Sequence, residues 1–419
     1  MRRILLVSIA LLVVAGPFAQ AQQLPSFGPC ERAHELPPGA PVNVELATVT
    51  DTEMVVTWLT CNAGSPAPAD TTVTYGPIGG PDRVFHRDGR ASPFHYARIS
   101  DLKPGTTYEY RASSNGIPAP PDRLNPGMFT TLTPPPGKEL FRFSVLADIH
   151  LGETVSGLAT STPTELPPGY RAKKPYPKEM LRAAVASVNK EKVSFTALPA
   201  DNSSHGELPD LRDAKSILER LDGRYLIARG SHDRPNQFME AREHCPPDGD
   251  CFREVFRPRV EAKADPQHLP EAVMHKKWMF IALDSANLES GFGEISDAQL
   301  EWLKTRLEKA KKKKRPAIIF FHHPVAEYSS TLAVPPLVFG VNQQDGQTFL
   351  NLIGDYDVRL VINSHTHRNW IAYSPHTGRM PIIEVGPTKE YPAGYTIVRV
   401  FEGGLIREWF PIDCDFCNA

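Results

Sequence analysis

The sequence lacks a net charge large enough to suggest a polyanionic partner. Its 419 residues include 46 Lys and Arg against 48 Asp and Glu, which gives a formal net charge of -2 at pH 7. Proteins that bind nucleic acid or anionic membranes usually carry a clear positive excess, because phosphate groups dominate those surfaces. We therefore expect neither a nucleic-acid-binding surface nor a membrane partner.

Long apolar runs are also missing beyond the amino terminus. Arg2 and Arg3 precede an apolar stretch over residues 4–15, and Ala19-Gln-Ala21 follows it. The stretch is too short to favour a membrane-spanning helix. The order of charged, apolar and small residues is typical of a secretory signal. The sequence thus predicts a signal peptide over residues 1–21 and a secreted or periplasmic protein.

Cysteines are few, and none lies at the predicted cleavage point, where a lipid anchor would need one. There are six of them, and an even number in an exported chain favours structural disulfides. Cys245 and Cys251 flank a turn-rich loop that they could close, but the sequence does not determine the pairing. The other four lie in the amino-terminal region and at the carboxyl end: Cys30, Cys61, Cys414 and Cys417.

The second half of the chain contains a series of metal-ligand-type residues, nearly all of which follow an apolar run. The segments are Asp148-Ile-His150, Ala200-Asp201, Gly230-Ser231-His232-Asp233, His322-His323-Pro324 and Ser364-His365-Thr366-His367. Alternate side chains of an extended strand point to one side, so Asp148 and His150 can share a target. Each segment alone is better explained by surface or capping residues. The ordered set predicts one two-metal hydrolytic centre suited to phosphoester chemistry.

The apolar runs themselves predict buried strands whose ends meet at one edge of a layered sheet, where sites assemble. These runs cover residues 141–147, 193–198, 225–228, 317–321 and 358–362. A helix is predicted after Ser296, with Leu300, Leu303 and Leu307 on one face, Gln299 completing a capping box, and residues 311–315 as its solvated end.

In order and residue type, the five segments resemble the calcineurin-like metallophosphoesterases, whose pattern is Asp-x-His, Gly-Asp, Gly-Asn-His-Asp/Glu, His and Gly-His-x-His. The resemblance covers about residues 140–412. It implies a first metal held by Asp148, His150, Asp201 and His367. It implies a second metal held by Asp201, Ser231, His322 and His365. It also implies that His232 lies beside the substrate without binding metal, and that Asp233 orients it.

The expected cofactor is a pair of metal ions, divalent or of mixed valence. Imidazole and carboxylate ligands suit iron, zinc and manganese. Two such cations ~3.5–4 Å apart can hold phosphoryl oxygens and activate a water molecule. His232, as an imidazolium, would stabilise developing charge or protonate the leaving oxygen.

The sequence departs from the family pattern at three positions. Ser231 stands where the family has a metal-binding asparagine, so we expect a weaker second metal site. Ala200 and Ser364 replace glycines, which we expect to affect backbone freedom rather than coordination. The first departure leaves open a second class of function, a catalytically weakened binding or adhesion protein.

Residues 41–132 are predicted to form an all-β module, with strands near 42–46, 53–58, 71–75 and 107–111. Trp58 and the segment from Leu102 to Tyr108 resemble the core tryptophan and the late corner of fibronectin type III domains. The proline-rich linker, residues 133–138, is stiff, so we expect a fixed relation between the two parts of the chain.

A small β-sandwich ahead of a metallophosphoesterase domain is similar to the architecture of purple acid phosphatases. The expected fold is therefore α/β, a layered α-β-β-α sandwich over residues 139–412 preceded by an all-β fibronectin type III-like sandwich. An extension (22–40) and a tail (413–419) complete the chain. Ser204 stands where those phosphatases have a metal-binding tyrosine, and they lack a histidine at the position of His150. We expect no colour from a tyrosinate–iron complex.

The leading hypothesis is an exported metal-dependent phosphomonoesterase that acts on a phosphorylated small molecule. A phosphodiesterase of the same fold is the alternative within the family. Candidate substrate contacts are His205, His244, His323 and Tyr391, although each is better explained as a structural or surface residue. The sequence does not indicate an oligomeric state.

Overall fold

The structure is a computed structural model that describes part of the chain. The described residues are 30, 36–63, 65–87, 91–121, 125–153, 176–234, 244–245, 249–257, 267–287, 291–325, 340–374, 380–389 and 393–412. The predicted signal peptide, most of the extension, Tyr391, Cys414 and Cys417 lie outside them.

The amino-terminal region is built from short antiparallel strands. They are β1 (Pro41–Val49), β2 (Met54–Asn62), β3 (Ser65–Pro66), β4 (Thr72–Pro77), β5 (Arg83–His86), β6 (Phe94–Ile99), β7 (Thr107–Ser114), β8 (Ile117–Pro118) and β9 (Met128–Thr130). One sheet has the order β1-β2-β3 with β6 on β2, and the other has the order β5-β4-β7-β8 with β9 on β7. All four predicted strands are present. The two sheets enclose one apolar core that includes Trp58 and Tyr108, so the region is a β-sandwich.

The second region alternates strands and helices. Its strands are β10 (Glu139–Val145), β11 (Phe195–Leu198), β12 (Arg224–Ile227), β13 (Glu271–His275), β14 (Trp278–Ala282), β15 (Ala317–Phe320), β16 (Val358–Asn363), β17 (Trp370–Ser374), β18 (Met380–Glu384), β19 (Gly394–Phe401) and β20 (Gly404–Pro411). Its helices are α1 (Tyr176–Lys190), α2 (Leu208–Leu218), α3 (Cys251–Phe256), α4 (Asp297–Lys312) and α5 (Gln343–Gly354), and a 3-10 turn is formed at Ser231–Asp233.

These elements form the expected four layers. One sheet has the order β12-β11-β10-β19-β20, and the other has the order β13-β14-β15-β16-β18-β17. Aromatic side chains fill the space between the sheets, with the Phe195 and Phe280 rings 4.3 Å apart and the Phe143 and Phe280 rings 5.1 Å apart. Helices α1 and α2 cover the outer face of the first sheet, and α4 and α5 cover that of the second. The predicted α-β-β-α sandwich is confirmed.

Parallel pairing brings several strand ends to the same edge. Strands β10, β11 and β12 are parallel neighbours in the first sheet, and β14, β15, β16 and β18 are parallel neighbours in the second. The segments that follow these strands therefore leave both sheets on one side, where binding sites of layered sheets form.

The β-sandwich contacts the second region directly through buried polar groups. The Thr48 hydroxyl donates to the Trp409 carbonyl oxygen at 2.7 Å. Arg98 donates to Glu53 of its own region and to Glu191 of the other, the latter at 2.7 Å. Val55 belongs to the apolar cluster beneath α1 and α2. These contacts join the two regions through side chains as well as through the linker.

The predicted capping box of α4 is only half formed. Ser296 accepts a hydrogen bond from the Gln299 backbone N–H at 3.3 Å, as expected of an N-cap. The Gln299 side chain does not return that bond, because its amide exchanges two hydrogen bonds with the backbone of Asp284 at 3.0 and 2.8 Å. The capping-box expectation for Gln299 is wrong, since this side chain ties α4 to the end of β14.

The four described cysteines form two disulfides, Cys30–Cys61 and Cys245–Cys251. The second closes the turn-rich loop considered from the sequence. Within the described part of the chain, no helix has both the length and the apolar character needed to cross a membrane.

Candidate metal centre

The five predicted segments meet at the shared edge of the two sheets. Each follows the end of a parallel strand: Asp148 and His150 after β10, Asp201 after β11, Ser231 and His232 after β12, His322 after β15, and His365 and His367 after β16. The strand order therefore places carboxylates and imidazoles from both sheets around one point.

At five of these positions the backbone is left-handed rather than extended. The φ angles are 49° at Asp148, 47° at His150, 51° at Asp201, 71° at His365 and 53° at His367. Asp148 and His150 do share a target, as expected. The expected reason, alternation along a strand, is wrong, since β10 ends three residues before Asp148. Each left-handed non-glycine residue costs of order 1–3 kcal/mol, and such strain concentrates at functional sites.

Interlocking backbone hydrogen bonds hold this conformation in place. The backbone N–H groups of Ile149 and His150 both donate to the Asp201 carbonyl oxygen, at 2.8 and 2.9 Å. The Asp148 N–H donates to the Ala200 carbonyl oxygen at 3.1 Å. The loops after β10 and β11 are thus fixed against each other, which aims their side chains at a common point.

Four residues form the first half of the centre. Donor atoms of Asp148, His150 and His367 lie within 4.8 Å of one another. Asp148 Oδ1 is 3.8 Å from His367 Nε2, and Asp201 Oδ2 is 3.6 Å from His150 Nε2. The residues predicted for the first metal are therefore brought together.

The second half of the centre converges on His322 Nε2. This atom is 2.9 Å from His365 Nδ1, 3.1 Å from Asp201 Oδ2 and 3.4 Å from Ser231 Oγ. The residues predicted for the second metal also lie together, and Asp201 contacts both halves.

The donor set fits a pair of bound cations. Asp148 Oδ2 and both ring nitrogens of His150 are buried, and no described residue offers them a hydrogen bond. Leaving a buried polar atom unpaired costs about 1–3 kcal/mol. Metal ions bound at this point would satisfy Asp148 Oδ2 and one ring nitrogen of His150, so the residues present are suited to a two-metal centre.

Charge and burial prepare the side chains for coordination. Burial lowers the pKa of His150 and of His365 well below the ordinary histidine value, which favours the neutral imidazole that metals require. Burial alone would raise the pKa of Asp201, but the His322 and His232 rings hold it well below its ordinary value. Asp201 is thus held as an anion. Burial alone would lower the pKa of His322, but the Asp201 carboxylate raises it above the ordinary histidine value.

His232 is held by a single main-chain partner. Its Nδ1 lies 2.8 Å from the Ser204 carbonyl oxygen, which can only accept, so Nδ1 carries a proton. In the neutral ring, Nε2 is therefore the unprotonated nitrogen. The ring lies 4.5 Å from the His150 ring, and the His232 backbone N–H donates to Asp201 Oδ1 at 3.0 Å. His232 therefore lies at the centre and is half-buried.

Asp233 does not contact the His232 ring. Its carboxylate accepts from the backbone and side chains of Asn202 and Ser203, with the Ser203 N–H at 2.9 Å, and from the Gly230 N–H at 3.1 Å. The expectation that Asp233 orients His232 directly is wrong. The carboxylate instead joins the loop after β11 to the loop after β12, and so fixes the positions of Asp201 and His232 through the backbone.

Sequence reasoning missed the role of Ser364 and two contacts that hold the loop around Asp148. Ser364 Oγ is 3.0 Å from His322 Nδ1, so the expectation that this serine affects only the backbone is wrong. The Thr388 N–H donates to the Ala147 carbonyl oxygen at 2.8 Å, and buried Lys389 forms an ion pair with Glu153. A polar residue next to a predicted ligand was the only sequence signal for Ser364, and no local sequence pattern indicated the contacts of Thr388 and Lys389.

Among the other candidate contacts that the structure describes, His323 lies close to the proposed ligands, with a donor atom within 4.8 Å of those of His322 and His365. His323 is fully buried, with Nδ1 3.0 Å from Ser285 Oγ and Nε2 3.1 Å from the Gly291 carbonyl oxygen, so both ring nitrogens are occupied. Burial lowers its pKa to about 3. His244 is exposed and lies beside Glu207, and His205 is half-buried.

The chain matches the family model described as calcineurin-like phosphoesterase over residues 141–369. No curated protein matches it. Among solved structures it is similar to a dimetal phosphatase from Danio rerio, with a TM-score of 0.49 and 14% identity over 66% of this chain and 99% of that chain. It is also similar to the purple acid phosphatase PPD1 from yellow lupin (Lupinus luteus), with a TM-score of 0.45 and 15% identity over 90% of this chain and 73% of that chain. A structure of PhoD gives a TM-score of 0.40 and 10% identity over 88% of this chain and 90% of that chain.

Proposed function

The chain belongs to the calcineurin-like phosphoesterases, and on that premise we propose that it is an exported, two-metal hydrolase of phosphate monoesters. The observation that carries the proposal is the buried donor cluster around Asp201, in which Asp148 Oδ2 and both nitrogens of His150 have no hydrogen-bond partner among the described residues. A folded protein rarely leaves such atoms unpaired unless a ligand completes them.

We assign the donors to two cations. The first takes Asp148, His150, Asp201 and His367, and the second takes Asp201, Ser231, His322 and His365. When bound, such ions supply Lewis-acid polarisation of the phosphoryl group and a water activated near neutral pH. Iron, zinc and manganese all suit this mixture of imidazole and carboxylate.

The side chain of His232 serves the leaving group. With Nδ1 held by the Ser204 carbonyl oxygen, the ring can donate a proton only from Nε2. Proton donation to the leaving oxygen from a fixed imidazolium typically contributes ~10²–10⁴-fold. Asp233 supports this role indirectly, because its bonds to Gly230 and Ser203 fix the loops that carry His232 and Asp201.

Export and domain organisation belong to the same proposal. Two disulfides suit an oxidising compartment, in agreement with the signal peptide predicted over residues 1–21. We assign residues 41–132 to a fibronectin type III-like domain, residues 133–138 to the linker and residues 139–412 to the catalytic domain. The Tyr108 hydroxyl accepts a hydrogen bond from the Lys103 N–H at 2.9 Å, which supports the predicted corner.

A non-catalytic binding protein is the competing hypothesis, and Ser231 supports it. The rest of the centre argues against it, because the carboxylates and histidines are retained, buried and convergent. A decayed site has no physical reason to keep left-handed ligand positions and unpaired buried nitrogens, both of which cost stability.

Metal analysis combined with turnover tests the proposal. The mature protein is stripped of metal, reloaded with manganese, zinc or iron, and assayed with a chromogenic phosphate monoester and a matched diester. We expect about two metal ions per chain and preferential hydrolysis of the monoester. Preference for the diester would correct the substrate class alone. Absence of both metal and turnover after every reloading would overturn the enzyme assignment in favour of the binding protein.

A further inference from the structure

We propose that Ser364 is a positioning residue that sets His322 for the second metal. Ser364 Oγ lies 3.0 Å from His322 Nδ1, and both side chains are completely buried. The inference rests on the proposed function, because it takes His322 to be a metal ligand. It concerns a position where the family pattern has glycine, which has no side chain to offer.

The hydrogen bond determines which ring nitrogen faces the metal. A histidine binds a cation through an unprotonated nitrogen, and a partner on the other nitrogen fixes that tautomer. Nε2 of His322 faces Asp201 Oδ2 and His365 Nδ1, at 3.1 and 2.9 Å. With a cation bound at Nε2, the neutral ring carries its proton on Nδ1, which then donates to Ser364 Oγ. Asp148 Oδ1, at 3.9 Å from Nδ1, is too distant to accept this hydrogen bond.

Ser364 and its neighbour Asn363 also form hydrogen bonds with the backbone around His322. The Asn363 side-chain amide donates to the carbonyl oxygens of Phe321 and His323, at 3.0 and 3.2 Å. The Ser364 N–H donates to the carbonyl oxygen of His322 at 2.9 Å. Three consecutive carbonyls and the ring are thus held by two residues. A glycine at position 364 would keep the backbone bond and lose the bond to the ring.

The hydrogen bond between Ser364 and His322 compensates for Ser231, the weak ligand of the second metal site. Ser231 Oγ lies 3.4 Å from His322 Nε2, and a neutral hydroxyl is a poorer donor than the amide oxygen of the family pattern. A second site with one weak ligand depends more on the exact placement of its remaining donors. Fixing the tautomer and rotation of His322 in advance reduces the ordering that metal binding must otherwise impose.

The neighbouring residue provides a matched control. Ser285 Oγ lies 3.0 Å from His323 Nδ1, the same distance and the same pair of groups as Ser364 and His322. All four side chains are fully buried. The His323 Nε2–H donates to the Gly291 carbonyl oxygen, so this ring has no nitrogen left for a metal. Ser285 Oγ also accepts a hydrogen bond from the His323 backbone N–H at 3.1 Å. Loss of the Ser285 hydroxyl should therefore cost at least as much stability as loss of the Ser364 hydroxyl, while only the latter should weaken metal binding.

The experiment titrates Mn²⁺ into metal-free wild-type protein, Ser364→Ala and Ser285→Ala by calorimetry, with unfolding of each metal-free protein measured in parallel. His322→Ala identifies which of the two binding events belongs to the second site. We expect Ser364→Ala to weaken that event about 10- to 100-fold, the range found for partners of metal-bound histidines, and to leave the first event unchanged. Ser285→Ala should lower stability and leave both affinities unchanged.

Ser364→Gly serves as a second variant if the alanine variant does not fold, and it should show the same selective loss. Equal affinity of wild type and either Ser364 variant for both ions would overturn the inference while leaving the two-metal centre standing. Equal loss at both sites, or the same loss in Ser285→Ala, would also overturn it, since the effect would then be structural. Fewer than two ions in the wild type would count against the proposed function itself.

Discussion

The β-sandwich and the metal centre each bury a histidine, but the two are treated differently. His95 in the β-sandwich has Nε2 2.9 Å from the Thr60 hydroxyl and Nδ1 2.8 Å from the Thr71 hydroxyl. Its ring is stacked on Trp58 at 5.0 Å. His150 is equally buried, yet no described residue forms a hydrogen bond with either of its nitrogens.

The difference separates a structural histidine from a ligand. Burial lowers the pKa of both rings, so neither depth nor charge state distinguishes them. The two rings differ in whether the surrounding protein forms hydrogen bonds with their nitrogens. Since unpaired buried nitrogens cost stability, His150 is explained by a group that binds from outside the chain, whereas His95 is explained by the fold alone.

The largest expected effect comes from removing the unpaired ring. His150→Ala should lower turnover by ~10³-fold or more, because the metals lower the barrier by several kcal/mol. The metal-free variant should lose less stability in urea than His95→Ala does, since the ring packing is removed but the lost nitrogens had no hydrogen-bond partner among the described residues. Metal content and phosphate release measure the first effect. Wild-type metal content in this variant would show that His150 is not a metal ligand, and would contradict the comparison with His95.

His232→Ala tests the ring that lies beside the metals without being assigned to them. Turnover should fall ~10²–10⁴-fold, because the proton donor to the leaving oxygen is lost. Metal content should stay near two ions per chain, as measured by elemental analysis. Loss of an ion together with activity would show that His232 is a ligand and that the first site has been assigned incorrectly.

His95→Ala tests the opposite case. The unfolding free energy should fall by about 2–4 kcal/mol, because a packed ring and two hydrogen bonds are removed from the sandwich core. Metal content and turnover per folded molecule should match the wild type. Urea unfolding and a metal assay on the same preparation measure both properties. Selective loss of metal in this variant would contradict the distinction between a structural histidine and a metal ligand.

The pH dependence of stability offers a finer test of His95. Burial lowers its pKa to about 3, whereas an unfolded histidine titrates near its ordinary value of 6.5. Between these two pH values, His95 is protonated in the unfolded chain and neutral in the folded chain. Through this residue, the unfolding free energy therefore falls as pH falls below 6.5, by about 1.4 kcal/mol per pH unit.

The His95→Ala variant lacks this titrating group. The difference in unfolding free energy between wild type and variant should therefore narrow as pH falls from 7 to 5. Urea unfolding at a series of pH values measures the gap, and groups shared by both proteins cancel in the difference. A gap that stays constant over this range would mean that folded His95 can accept a proton.

The smallest expected effect is a gain. Ser231→Asn places an amide oxygen where the hydroxyl lies 3.4 Å from His322 Nε2. We expect the second metal to bind several-fold more tightly and turnover at limiting metal to rise accordingly. Titration of activity against added Mn²⁺ measures the change. No gain would show that Ser231 already serves the site fully.

The sequence was sufficient to predict the layers and most of the centre. Apolar runs ending at Asp148, Asp201, His322 and His365 predicted both the strands and the edge at which they meet, because parallel strands share an edge. Ligand types follow from chemistry that is local to each segment. These features depend on residues close together in the chain, which is why they could be predicted.

Features that depend on distant partners could not be predicted in this way. Gln299 matches a capping box locally, but its amide bonds to Asp284 in another element. Asp233 follows His232 in sequence and bonds instead to Asn202 and Ser203. The left-handed backbone at the ligand positions is likewise imposed by contacts between loops, which propensity does not encode.

The central claim is that Asp201 lies between two cations held by donors from both sheets. Anomalous diffraction from crystals grown with Mn²⁺ tests it most directly. The account predicts two peaks ~3.5–4 Å apart, with Asp201 bound to both, Asp148, His150 and His367 on one, and His322 and His365 on the other. A single peak, or peaks bound by other residues, would contradict it.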